Sequence, residues 1–197
     1  VIFWGMYPHQ GNEVEHLWES LLECVSEQNF LLVAFQVEDW NRDFSPWKAS
    51  AVFGKEDFAG QGAKTLKWLT EECVPYIDRT FGAKDREHWL MGYSLAGLFA
   101  LWAAYESDVF SGIVCCSGSL WFPDWDHYVR DHMIQSKCSV YLSLGGKEEK
   151  TKNIVMAAVG VRTRAQEGML LVYSMVESVV LEWNAGGHFA DAGKRLA

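Results

Sequence analysis

Short, almost continuous apolar runs alternate with amphipathic stretches along this chain, and no other feature constrains the fold as strongly. A strand buried on both faces of a sheet is apolar at nearly every position, and repeated strand-helix units build a parallel sheet with right-handed crossovers. We therefore predict an α/β fold with helices on both faces of a mostly parallel sheet. The predicted strands are residues 1–6, 30–37, 88–91, 112–116, 140–144 and 179–183.

Two segments between these runs have clear helical patterns. Residues 95–104 are apolar nearly all round, which is typical of a helix covered on most sides. A second helix is predicted from the 3 to 4 spacing of Leu66, Leu69, Cys73 and Ile77. At 197 residues and 49% hydrophobic content, the chain suits one core, so we expect residues 1–197 to form a single domain.

Composition narrows the classes of partner. The net charge is −9 and the basic residues are scattered, so we expect neither nucleic acid nor a membrane as partner. No apolar run approaches a spanning helix and the N-terminal residues lack a signal-peptide pattern, so we expect a cytoplasmic protein. His127 and His132 lack metal-ligand spacing, so no metal site is predicted. We expect the five cysteines to be reduced core residues: Cys24, Cys73, Cys115, Cys116 and Cys138.

The strand at 88–91 runs into Gly92-Tyr93-Ser94-Leu95-Ala96-Gly97 and then into the apolar helix. A serine at such a strand-to-helix turn needs small residues two positions before and after it, because strand and helix pass closely there. Gly92 and Ala96 meet that requirement. Ser94 is therefore the candidate nucleophile.

A serine hydroxyl needs a histidine as general base, and the histidine needs a carboxylate to orient it. His188 follows the strand at 179–183 and two glycines, which permit a turn back over the strand ends. His127 and His132 lie in a polar stretch where a solvated surface role is expected. His188 is therefore the candidate base.

The acid is expected after the strand between those of the serine and the histidine. The strand at 140–144 ends in Gly145-Gly146-Lys147-Glu148-Glu149-Lys150. If the strand ends at Gly145, the third residue after it is Glu148. If the strand ends at Gly146, the third residue after it is Glu149.

Backbone N–H groups must also bind the oxyanion that develops during acyl transfer. One is normally that of the residue after the nucleophile, here Leu95. Trp4-Gly5-Met6 ends the first strand, and its glycine allows close backbone approach, so Met6 is the second candidate donor.

Aromatic residues follow two of the predicted strands. Trp40 and Trp47 come after the second strand, and Trp121 follows the fourth, at the sheet edge where ligands of α/β proteins bind. We expect these three side chains to contact an apolar or aromatic part of the substrate.

The strings Gly92 to Gly97, Ser143-Leu144-Gly145-Gly146-Lys147-Glu148-Glu149 and Gly187-His188-Phe189 resemble those of the esterase family that includes enterochelin esterases, feruloyl esterases and S-formylglutathione hydrolases. The resemblance covers nearly the whole chain. It implies an α/β-hydrolase fold, a small-molecule ester as substrate and a serine esterase without a cofactor. Related families place their acid at the offset of Glu148, so we choose Glu148 over Glu149.

The chain departs from this family in two ways. It opens inside what corresponds to the family's third strand, so the resemblance implies a sheet of about six strands without the two leading ones. An unpaired sheet edge of this kind can associate, so a homo-oligomer is a possible assembly. The usual His-Gly of the oxyanion loop is replaced by Trp4-Gly5.

Two other functions fit the same residues. An acyltransferase uses the same acyl-enzyme, with an alcohol or amine in place of water. A non-catalytic binding protein on a hydrolase scaffold is the alternative from another class, because fold does not fix function. The complete set of serine, glutamate and histidine argues against the binding protein, whereas no sequence feature excludes the acyltransferase.

Overall fold

The computed structural model describes residues 1–7, 11–24, 30–190 and 192–196. Within these ranges the main sheet has six strands, all parallel, in the order β2-β1-β5-β6-β7-β8. A short antiparallel hairpin of β3 and β4 lies apart from it. The strands are β1 (Ile2–Met6), β2 (Leu32–Gln36), β3 (Lys48–Ala49), β4 (Phe58–Ala59), β5 (Trp89–Tyr93), β6 (Gly112–Cys116), β7 (Ser139–Gly145) and β8 (Ser178–Asn184).

Helices connect the strands and cover the sheet. They are α1 (Gly11–Cys24), α2 (Trp40–Asp43), α3 (Gly62–Trp68), α4 (Val74–Phe81), α5 (Leu95–Glu106), α6 (Trp125–Asp131), α7 (Ile154–Ala157), α8 (Val159–Tyr173) and α9 (Ala192–Leu196). In the described ranges, none of the helices combines the length and the apolar character that a bilayer crossing requires.

The apolar core lies on both faces of the main sheet. On one face Trp4 and Met6 pack with Leu17 of α1 and Leu196 of α9. On the other face a larger cluster includes Phe3 and almost every residue of α5. Because α5 is buried on nearly all sides, its continuously apolar sequence is explained.

The structure confirms the predicted fold class, and each predicted strand is present with its ends within two residues of the expected positions. The helix pattern at 66–77 needs a correction. A π-helical turn at Leu69–Cys73 joins α3 to α4, and its extra residue moves the buried position from the predicted Cys73 to Val74.

Of the five cysteines, Cys115, Cys116 and Cys138 are buried free thiols. Cys73 is a half-buried free thiol, and the side chain of Cys24 lies outside the described structure. The prediction of reduced core residues is therefore confirmed for three of them.

The strand register brings four loops together. Gly5 is paired with Gly92, Tyr93 with Cys116, and Gly145 with Asn184. Because all these strands are parallel, the loops that follow β1, β5, β7 and β8 begin at one edge of the sheet.

Candidate active site

Ser94 lies in a strained turn between β5 and α5. Its φ of 58° and ψ of −120° fall in a region that L-residues rarely adopt. The Ser94 amide donates to Cys116 O at 3.0 Å, and its carbonyl accepts from the amides of Leu98 and Ser119. These bonds hold the turn, so the hydroxyl is presented at the top of the sheet.

Gly92 and Gly97, on either side of Ser94 in the sequence, lie where there is no room for a side chain. A Cβ added at Gly92 would lie 2.3 Å from the carbonyl of Ala96, and one at Gly97 would lie 3.0 Å from Cys116 O. Strand and helix therefore pass too closely for larger side chains. The prediction of this close passage from Gly92 and Ala96 is correct.

His188 lies in the loop after β8 and faces Ser94. Its Nε2 is 3.0 Å from Ser94 Oγ. Gly186 has a φ of 89°, which a glycine adopts without strain, and this turn brings the imidazole back over the strand ends. The Tyr93 hydroxyl donates to His188 O at 2.6 Å and fixes the backbone of the loop.

Glu148 lies in the loop after β7, and its Oε2 is 2.7 Å from His188 Nδ1. Its Oε1 accepts from Ser117 Oγ at 2.6 Å and from the amide of Gly145 at 2.7 Å. A Cβ at position 145 would lie 2.9 Å from this Oε1, so glycine makes room for the carboxylate.

The environment keeps Glu148 ionised. Burial alone would raise its pKa, but hydrogen bonds from His188, Ser117 and the Gly145 amide outweigh burial and lower the pKa to about 2. The carboxylate therefore remains negative across the physiological pH range.

Glu149 has a different environment. Its Oε2 is 3.7 Å from Nη1 of Arg164, and its side chain is 37% exposed, compared with 4% for Glu148. Of the two adjacent glutamates, Glu148 is the one in contact with the imidazole.

The hydroxyl and imidazole open into a pocket of about 710 Å³. Trp40 stacks on Tyr7 with ring centroids 3.9 Å apart, and Trp121 meets Phe53 edge to face at 5.7 Å. These four rings line the pocket with Met156 and Phe189. The structure thus brings Trp40 and Trp121, of the three predicted aromatic contacts, together with Ser94.

Trp47 lies elsewhere, which corrects the expectation that it lines the pocket. Its indole N–H donates to Pro123 O at 3.0 Å, and its ring packs against Phe122, Trp125 and Tyr128. The chain turns away after α2, so Trp47 supports the loop that carries Trp121 and does not reach the pocket.

The side chains of the two predicted oxyanion donors point into the core. Leu95 is the first residue of α5, where backbone N–H groups have no partner within the helix. Met6 is the last residue of β1, directly after Gly5, which lines the pocket. His127 and His132 are exposed on and just after α6, as expected.

Three polar residues of this site are absent from the predicted set. Ser117, at a φ of 46°, donates to Glu148. Ser119 Oγ is 3.4 Å from Ser94 Oγ. Arg195, on α9, lies 3.1 Å from Glu148. The position of Ser117 after β6 signals a site residue, whereas nothing in the sequence near Arg195 does.

The contacts form a continuous chain from carboxylate through imidazole to hydroxyl, with distances of 2.7 and 3.0 Å. In this arrangement the imidazole can accept the hydroxyl proton while the carboxylate stabilises the imidazolium. The geometry therefore suits acyl transfer through a serine.

Known structures share this fold. The siderophore hydrolase EstB from Aspergillus nidulans superposes with a TM-score of 0.76 at 16% identity, over 99% of this chain and 79% of that one. An IroE-like serine hydrolase from Shewanella oneidensis superposes with a TM-score of 0.73 at 16% identity, over 99% of this chain and 67% of that one. The BES protein from Bacillus cereus superposes with a TM-score of 0.70 at 17% identity, over 99% of this chain and 81% of that one.

No curated protein matches the sequence significantly. The profile of one family, described as "Putative esterase", matches residues 10–192. This match spans the three loops that carry Ser94, Glu148 and His188, and it confirms the family resemblance found in the sequence. The chain therefore belongs to the esterase family of α/β-hydrolases and is a carboxylic ester hydrolase.

Proposed function

We propose that this enzyme cleaves a small-molecule carboxylic ester through an acyl-enzyme on Ser94, with His188 as general base and Glu148 as the orienting acid. The observation that carries the proposal is the hydrogen-bonded chain from Glu148 Oε2 through the imidazole to Ser94 Oγ. A carboxylate in this position selects the tautomer in which Nε2 is free to accept the hydroxyl proton.

In the first half-reaction Ser94 Oγ forms a bond to the ester carbonyl carbon while its proton moves to His188 Nε2. The tetrahedral intermediate then expels the alcohol, which takes that proton as the C–O bond breaks. In the second half-reaction water loses a proton to His188 and attacks the acyl carbon. Ser94 Oγ regains the proton as the carboxylic acid leaves.

The oxyanion of both intermediates requires preorganised donors. We assign this role to the backbone N–H group of Leu95. The N–H of Met6, the second candidate, faces β2, because the N–H of Ile2 donates to Leu31 O, Met6 is paired with Gln36, and N–H groups alternate in direction along a strand. The Leu95 amide follows the nucleophile at the N-terminus of α5, where it is free of intrahelical bonding and adds to the positive end of the helix dipole.

The pocket suits an ester with an apolar or aromatic group. Trp40 and Trp121 offer flat apolar surfaces in the pocket that Ser94 lines, and most of the wall is apolar. One structural neighbour carries the name siderophore hydrolase, so a siderophore ester belongs in the substrate panel.

Hydrolysis of p-nitrophenyl esters of increasing acyl length tests the proposal. We expect turnover by the wild type and a loss of about 10⁴-fold or more in Ser94→Ala, because the remaining groups cannot replace the nucleophile. Wild-type turnover in Ser94→Ala, with the fold intact by circular dichroism, would contradict the proposal.

A further inference from the structure

Arg195 places a buried positive charge beside the proposed triad. Its side chain is 4% exposed, as is that of Glu148, and Nη2 lies 3.1 Å from Glu148 Oε1. A buried cation is tolerated when its N–H groups have partners. Here Nη2 also donates to Ser117 Oγ, Nη1 donates to Tyr93 OH at 2.7 Å, and Nε donates to Asn184 Oδ1 at 2.8 Å.

The two oxygens of Glu148 have separate tasks. Oε1 accepts from Ser117, Gly145 and Arg195, at 2.6, 2.7 and 3.1 Å. Oε2 is left facing His188 Nδ1 at 2.7 Å. The donors on Oε1 therefore fix the rotation of the carboxylate, and Arg195 is the charged one among them.

Arg195 also supports His188 by a second route. The Tyr93 hydroxyl accepts from Arg195 Nη1 and donates to His188 O at 2.6 Å. The ring of His188 is thus held through Glu148, and its backbone through Tyr93. Tyr93 immediately precedes Ser94. The guanidinium therefore contacts Glu148 directly and is linked through Tyr93 to both Ser94 and His188.

We propose that Arg195 is a positioning residue of the triad, which locks the Glu148 carboxylate and the His188 loop in the geometry that proton transfer needs. This inference rests on the proposed function. A guanidinium has a planar fork of donors and stays charged at any working pH. A lysine in its place would keep the charge but could not bond Glu148, Tyr93 and Asn184 at once.

The charge of Arg195 gives the test a specific readout. The cation lies one hydrogen bond beyond the carboxylate that faces His188, so it disfavours the imidazolium. Removing it makes the imidazolium easier to form, and the rise of kcat/KM with pH should move to higher pH. The Arg195 variants leave unchanged the identity of the other polar and charged residues that contact His188 or line the same pocket: Tyr93, Ser94, Glu148, Tyr7, Glu13, Lys147 and Lys150.

The experiment measures kcat, KM and pH profiles of p-nitrophenyl acetate hydrolysis for the whole chain and its variants. For Arg195→Met we expect kcat to fall about 10- to 100-fold, since small misplacement of a catalytic group is costly. We expect KM to change less than about 3-fold and the acid limb to move up by about half a pH unit or more. Arg195→Lys should lower kcat but keep the wild-type acid limb.

Arg164→Met is the matched control, because Arg164 pairs with the adjacent Glu149 and its side chain is 53% exposed. It should retain wild-type kcat and pH profile. Should Arg195→Met fail to fold, Asn184→Ala decides instead. That change removes the Nε anchor of Arg195 and an exposed hydrogen bond from Asn184 to Glu182. We expect kcat to fall about 3-fold or more with KM retained.

Wild-type kcat and acid limb in a folded Arg195→Met, or in Asn184→Ala where that variant decides, would overturn the inference. A lower melting temperature with an unchanged acid limb in Arg195→Met would also overturn it, because it would show a merely structural role. Ser94→Ala separates the two proposals. If Ser94→Ala is inactive while Arg195→Met behaves as wild type, this inference fails and the proposed function stands.

Discussion

The polar and the aromatic sides of the pocket are built on different principles. On the polar side Ser94, His188 and Glu148 are joined by hydrogen bonds of 2.7 and 3.0 Å, and both oxygens of Glu148 have assigned donors. On the aromatic side, rings such as Phe53 and Trp121 meet at centroid distances of several ångströms without directed bonds. In the proposed mechanism the first side carries out the chemistry, so we expect it to tolerate little change. The second side is proposed to select the substrate, and we expect it to tolerate more.

The strongest test of this contrast removes the imidazole from the polar side. We expect His188→Ala to lower kcat by about 10⁴-fold or more at neutral pH, because no other base contacts Ser94 Oγ among the described residues. His132→Ala, which alters an exposed histidine after α6, should keep wild-type kcat. Equal kcat values for His188→Ala and His132→Ala would contradict the proposed role of His188 as general base.

The two adjacent glutamates sharpen the contrast within one loop. Glu148→Gln should cost about 10² to 10⁴ in kcat, because an amide cannot hold the required tautomer and stabilise the imidazolium. Glu149→Gln changes a partly exposed side chain paired with Arg164 and should have almost no effect. Steady-state kinetics of both variants decides the matter, and a large loss confined to Glu149→Gln would reverse the assignment.

The aromatic side should respond through KM. Phe53 is 52% exposed and lines the pocket, so Phe53→Ala widens the binding site at little cost in stability. We expect KM for a long-chain p-nitrophenyl ester to rise about 5- to 10-fold with kcat nearly unchanged, from the loss of apolar contact area. Phe81→Ala, at a similarly exposed phenylalanine at the end of α4, is the control. A kcat effect as large as that of Glu148→Gln would erase the proposed division between the two sides.

The smallest effect concerns stability and pH. Folding lowers the pKa of Glu148 from 4.5 to about 2, so its ionised form stabilises the protein fully above about pH 5. That stabilisation is lost as the pH falls from 4.5 towards 2, because the carboxylate becomes protonated. Between about pH 5 and pH 3 we expect the wild-type melting temperature to fall about 4 °C more than that of Glu148→Gln. Equal falls in the two proteins would show that Glu148 does not retain its charge.

The sequence predicts the fold well because each strand appears as an apolar run. The strand at 112–116 and the helix beginning at Leu95 are examples, since apolar character at every position leaves few alternatives. The central strands are buried as that pattern predicts, whereas the edge strands β2 and β8 are only partly buried. The positions of Ser94 and His188 follow from the same logic. Each lies just beyond an apolar run, and a glycine marks each turn, although β8, the strand before His188, is an edge strand without a buried residue.

The supporting residues of the site were not predictable in this way. Arg195 contacts Glu148 across a separation of 47 residues, and its helix shows no pattern that points to the site. The position of Trp47 after a strand predicts a place in the pocket, but an aromatic ring packs equally well in the core cluster with Phe122. Contacts that depend on how loops pack against one another leave no periodic signal.

Labelling with a fluorophosphonate, followed by peptide mass spectrometry, tests the central claim most directly. Such a probe forms a covalent bond with an activated serine. We predict one adduct per chain on Ser94, none in Ser94→Ala, and labelling of His188→Ala slowed by orders of magnitude. An unlabelled wild-type protein, or an adduct on another serine such as Ser119, would contradict the assignment of Ser94 as the nucleophile.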